Sequence, residues 1–157
     1  MLRFMAVRIA RSAFAGFVAG SIATFVMSRG FTVAQSVGAI AELPPRRAVR
    51  VVSPQITEPN RSAVAAIAHY LVGGGAAALY GVCTSVRPRS RGALTGLLFG
   101  LGVWAVGYEF LMPIATGMPL AHNDRRPRAA AILIAHVIYG LSLGTASKFM
   151  TNQKERQ

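Results

Sequence analysis

The sequence predicts an all-α integral membrane protein: a four-helix bundle made of two similar helical hairpins. Three observations carry that reading. Apolar residues make up 53% of the 157-residue chain and charged residues only 14%, against roughly 25% charged in ordinary globular chains. The charges crowd into short segments between four long apolar runs, as expected where a charge at bilayer depth costs about 2.5–3.5 kcal/mol. Finally, the second half of the chain repeats the small-residue and polar landmarks of the first at matching spacings.

The first run predicts a helix over about 10–28, with Arg3, Arg8 and Arg11 at its start. A basic start before an apolar run is also the form of a signal peptide. Three further spans follow here, and a first helix can itself serve as the insertion signal. Over 31–41, Val33, Ala34, Val37, Ile40 and Ala41 fall at helical spacing, with Gln35 and Ser36 off that face. This segment reads either as an amphipathic interfacial helix or as a continuation of the first helix beyond the bilayer. Pro44 and Pro45 stop it. Residues 44–61 carry four Arg, Glu58, Pro54 and Pro59, and read as a polar loop.

The remaining spans are expected over about 62–84, 92–114 and 129–149. Each meets the roughly 20 apolar residues needed to cross a bilayer. A basic turn with Arg87, Arg89 and Arg91 separates the second from the third, and a second basic loop, 115–128, separates the third from the fourth. Irregular backbone cannot face lipid, so every span should be helical. The short connections make neighbours antiparallel.

The repeat is specific in its spacing. Gly16 and Gly20 open the first helix as Gly92 and Gly96 open the third. Ile67-Ala68-His69 with Gly73 matches Ile134-Ala135-His136 with Gly140. Glu42 lies 27 residues before His69, and Glu109 lies 27 residues before His136. Two parallel hairpins related by a pseudo-two-fold axis along the membrane normal would give this pattern.

Gly16/Gly20, Gly92/Gly96/Gly100 and Gly140/Gly144 are small-xxx-small sets. Lipid supplies no hydrophobic drive between helices, and close backbone approach through small residues replaces it. The sets read as tight packing within the bundle, from which the motif alone does not separate a homodimer face.

Glu109, His69 and His136 are the ionisable groups set in from the span ends that need explaining, and such groups are functional candidates. Helix three ends and helix four begins on one side of the membrane. Glu109 then lies about 10 Å from the middle of its helix and His136 about 4–5 Å from the middle of its own, in the same leaflet. A Glu109–His136 pair is therefore expected, with Tyr70, Tyr108 and Tyr139 near enough to join. The cluster reads in three ways: side chains satisfying one another inside the bundle, a proton-responsive site, or a metal site from two His and a carboxylate. The His residues sit on different helices without H-x-x-x-H spacing, so no metal or other cofactor is assigned. His122 sits among Asn123 and Asp124 and reads as solvated. Trp104 and Tyr108, at i and i+4, read as packing or interfacial anchors.

The net charge is +12. In a soluble chain this would suggest nucleic acid; here the Arg residues sit between spans, where they meet anionic lipid headgroups. The expected partners are therefore the bilayer with anionic headgroups, a second copy of the chain or another membrane protein, and no nucleic acid. Basic residues divide nine against eight between the two faces, and the first helix favours cytoplasmic termini. Cys83 is the only cysteine, which excludes an intramolecular disulfide, and it reads as inert packing. No serine-hydrolase elbow, phosphate-binding loop or zinc-protease motif is present.

Several short motifs, in order, mark a resemblance. They are Gly16-x-x-Ala-Gly20, Leu43-Pro-Pro-Arg46, His69, Arg91-Gly-x-x-x-Gly96, Pro113 and Ala135-His136. In these the chain resembles the YagU-like bacterial inner-membrane proteins, a four-helix family of unknown function. Arg29 and Glu42 are displaced from the Lys and acid that this family tends to carry after its first helix. The resemblance implies topology and a bacterial inner membrane, and no reaction. The expected function is non-enzymatic: proton-linked transport, stress response or service as an accessory subunit. The alternative is a small membrane enzyme with Glu109 and His136 as acid/base groups.

Overall fold

The computed structural model describes residues 2–86 and 92–155; the expected basic turn with Arg87, Arg89 and Arg91 lies outside them. The described residues are helical and short-looped, without strands. The long helices are α1 (Leu2–Ser36), α3 (Asn60–Ser85), α4 (Ala93–Trp104) and α6 (Arg126–Glu155). A short helix, α2 (Pro44–Val52), links α1 to α3. The chain continues unbroken from α4 through a π-helical stretch, Ala105–Leu111, into α5 (Met112–Thr116). Among the described residues, four helical stretches are long and apolar enough to cross a membrane: Arg3–Ser36, Asn60–Ser85, Ala93–Thr116 and Arg126–Met150. The protein is an all-α membrane protein.

α1 has 35 residues, about 52 Å of helix, well beyond a hydrocarbon core of about 30 Å. Nothing between Leu2 and Ser36 breaks it, so the segment expected over 31–41 is the continuation of the first helix and not a separate one. Gly38, at φ +73°, closes it. The Gly38 N–H bonds the Gln35 carbonyl and the Ala39 N–H bonds the Ala34 carbonyl, the paired bonds of a Schellman cap.

The polar loop expected over 44–61 holds α2. Pro44 and Pro45 occupy its first turn, where a missing N–H costs nothing and φ is already helical. They begin a helix as well as ending the approach to it. Arg50 pairs with Glu42 at 2.8 Å and Arg46 with Glu58 at 2.9 Å. The Arg50 hydrogen bond holds the Glu42 carboxyl below the usual carboxylate range against partial desolvation. Val49 is buried.

Pro113 explains the π stretch. It cannot donate to the Glu109 carbonyl, and in α register its ring would strike that oxygen. Just upstream, the Met112 N–H bonds the Gly107 carbonyl, five residues back. Gly117, at φ +64°, ends α5 with its N–H on the Pro113 carbonyl.

Helices pair within each half, α1 on α3 and α4 on α6, and α1 also packs on α6. Both pairs cross where glycines meet backbone. A Cβ on Gly16 would strike the Ala77 carbonyl, and one on Gly20 would come 2.9 Å from the Gly73 oxygen. A Cβ on Gly96 would strike the Gly140 carbonyl, one on Gly144 the Gly92 carbonyl, and one on Gly100 would lie 2.6 Å from the His136 oxygen. Moving Gly20 to Gly96 and Gly73 to Gly140 carries one crossing onto the other. Large apolar side chains such as Phe14, Phe25, Ile67, Leu98, Phe110 and Ile134 are exposed on the outer surface, where a bilayer would cover them. Cys83 is also exposed, not packed.

Candidate functional site

Between the two hairpins lies a half-open cavity of about 270 Å³. Thr24, Met27 and Phe31 of α1 form one wall. Ala68, His69, Val72 and Gly73 of α3 form the next. Val103, Gly107, Tyr108 and Met112 close the third side, and Ile132, His136 and Tyr139 of α6 the fourth. Pro44, Pro45, Ala48 and Val49 of α2 also line it. The repeat thus puts one histidine from each hairpin on a shared chamber.

The polar groups on this apolar wall differ in how they are satisfied. The buried Nε2 of His69 has no hydrogen-bond partner among the described residues; its ring lies 6.1 Å from Phe31 and 6.5 Å from Tyr70. His136 sets its Nδ1 2.8 Å from the Ile132 carbonyl, one turn back. Tyr139 donates to the Gly73 carbonyl at 2.6 Å. Thr24 is fully buried, and its Oγ1 has no partner among the described residues. An unsatisfied buried hydroxyl calls for an explanation.

Glu109 does not pair with His136. Its two carboxylate oxygens face the Ala121 N–H at 3.2 and 3.3 Å, at the start of a one-turn 3₁₀ helix, Ala121–Asn123, which also contains His122. Axial position alone put Glu109 and His136 in one layer. The π stretch and the return of the 117–125 connection decide which way each side chain faces. Of the three expected cluster members, the chamber collects His69 and His136, and Glu109 serves the loop. Among the described residues, no group of three or more His, Cys, Asp or Glu is suited to hold a metal ion.

A second polar cluster lies at the chamber's edge. Buried Tyr108 donates to the Asp124 carboxylate. Arg128 grips both Asp124 oxygens, with Nε at 2.7 Å, and the Arg125 N–H donates at 2.7 Å. Burial pushes the Asp124 carboxyl up, but the bonds from Arg128, Tyr108 and Arg125 outweigh it and hold it below the usual range. Tyr108 is therefore more than a packing residue, while the Trp104 ring lies tilted beside it at 6.3 Å.

Sequence reasoning missed Thr24 and this cluster, although both left a signal. Thr24 continues Gly16 and Gly20 at i+4 steps, on the face that meets α3. Asp124 and Arg128 are an i, i+4 pair at a helix start, where an acid is favoured.

The model of a family of unknown function, DUF6789, matches residues 10–157. No curated protein and no solved structure matches the chain. The chain belongs to the DUF6789 family.

Proposed function

With membership of that family and four helices of membrane-crossing length as the premise, we propose that this protein is a non-enzymatic binding or carrier protein for a small, mostly apolar molecule, held in the chamber between its hairpins. The observation that carries the reading is the chamber itself. It is apolar, set between membrane-spanning helices, and furnished with a few polar groups that the protein leaves unsatisfied. Ligand sites generally combine apolar walls with a small number of placed polar groups. The transport class fits such a chamber better than acid/base catalysis by Glu109 and His136, because Glu109 is engaged by the Ala121 N–H. The resemblance of the ordered motifs to those of the YagU-like proteins favours a bacterial inner membrane, and the basic first helix favours cytoplasmic termini. The glycine crossings are the means by which the two hairpins keep the chamber's walls fixed.

Filling the chamber tests the proposal. Val103 lines it, and Val103→Phe adds bulk to that wall. Organic extracts of the purified protein should contain an apolar small molecule near one per chain, strongly depleted in Val103→Phe. Equal content in the two proteins, or none in either, would overturn the reading.

A further inference from the structure

The chamber's polar groups say which kind of molecule it takes. A carbonyl oxygen can only accept, so the ring nitrogen of His136 beside the Ile132 carbonyl carries the hydrogen. In the uncharged ring this leaves Nε2 as a bare acceptor, and no described residue donates to it. The Thr24 hydroxyl takes no part, because its oxygen packs against Gly73 in the α1–α3 contact and is closed off from the chamber. A purely apolar occupant would leave the His136 acceptor unsatisfied, at a cost a matching hydroxyl would remove.

Volume sets the bulk. A cavity of about 150 Å³ accommodates benzene. The 270 Å³ here suits a fused bicyclic ring or a branched chain of similar size.

We propose that the chamber selects an apolar molecule of about bicyclic bulk bearing a hydroxyl group, whose O–H donates to His136 Nε2. This rests on the chamber being a ligand site and adds the ligand's chemical class. The selection is built on the second hairpin's histidine, with Met27 and Phe31 of the first hairpin supplying apolar wall.

Two probes of nearly equal volume, 2-naphthol and 2-methylnaphthalene, separate the two claims. Their affinities for the detergent-purified full chain are measured, and the ratio is compared between wild type and His136→Phe. Taking the ratio of ratios cancels their different partition into detergent. The wild type should favour the naphthol about tenfold more than His136→Phe does, and His136→Gln, which keeps an acceptor near the Nε2 position, should retain most of that preference. A ratio of ratios near one overturns the hydroxyl selection while leaving the chamber a ligand site. Binding of neither probe to wild type overturns the chamber reading as well. If His136→Phe does not fold, histidine ring ¹⁵N spectra of the wild type decide the matter. The His136 Nε2 signal should move on adding 2-naphthol and stay in place with 2-methylnaphthalene; an unmoved signal with bound naphthol overturns the selection.

Discussion

Asp124 is the residue on which the return from the third span to the fourth depends. Its side chain is 1% exposed and takes bonds from Arg128, Tyr108 and the Arg125 N–H. Asp124→Asn should destabilise the protein by about 2 kcal/mol, less than the 3–5 kcal/mol for one member of a fully buried pair. The discount follows from Arg128, which keeps 22% of its side chain exposed. The sign of the pH dependence follows from the lowered carboxyl. The unfolded chain protonates first, near pH 4, so the wild type's advantage over the Asn variant is full above that range. It shrinks as pH falls toward the folded value. Thermal unfolding in detergent across neutral and acid pH checks both; an advantage that grew on acidification would contradict the cluster. The matched spacing of the two halves makes His69 and His136 legible as a pair in the sequence. The role of Glu109 is not legible there, because a rise per residue fixes depth and not the direction a side chain faces.

At the scale of elements, the crossings discriminate among glycines of identical chemistry. A Cβ on Gly96 or Gly144 would strike partner backbone, whereas nothing lies within 4 Å of one on Gly75 or Gly102. Backbone cannot swing aside as a flexible side chain can. Gly96→Ala and Gly144→Ala should each cost about 1–3 kcal/mol, the range for overpacking. Gly102→Ala should be neutral or gain up to about 1 kcal/mol from helix propensity. Unfolding midpoints of the three variants side by side are the measurement, and equal effects would place the bundle's close contacts elsewhere. The four spans are legible in the sequence because charges mark their gaps. Their ends are not: α1 overruns the expected 10–28 because arginines do not break a helix and only Gly38 caps it. α2 is hidden because two prolines read as a stop, although the same residues suit a first turn. The π stretch is hidden because its signal, Pro113, lies just beyond it.

For the whole molecule, the question is whether two similar hairpins behave as one body. Besides the packing of α1 on α6, two tyrosines join the halves by hydrogen bonds. Tyr139 of α6 donates to the Gly73 carbonyl of α3, and Tyr80 of α3 bonds Thr95 of α4 at 3.1 Å while its ring lies 5.2 Å from Phe99. Their attachments on α3, at 73 and 80, are about 10 Å apart along the axis. At that separation, independent losses add to within about 0.5 kcal/mol. Tyr139→Phe and Tyr80→Phe should each lose about 1 kcal/mol, and the double variant about 2 kcal/mol, all in a single transition. The chamber exists only while the hairpins are docked, so probe binding should disappear in that same transition. Separate melting of two halves, with tyrosine substitutions merely spreading the midpoints apart, would mean the hairpins fold as independent units. The chamber would then be an opening between them that closes and opens far below the unfolding temperature, and a carrier built on such an opening would need no lid beyond the docking of its own halves.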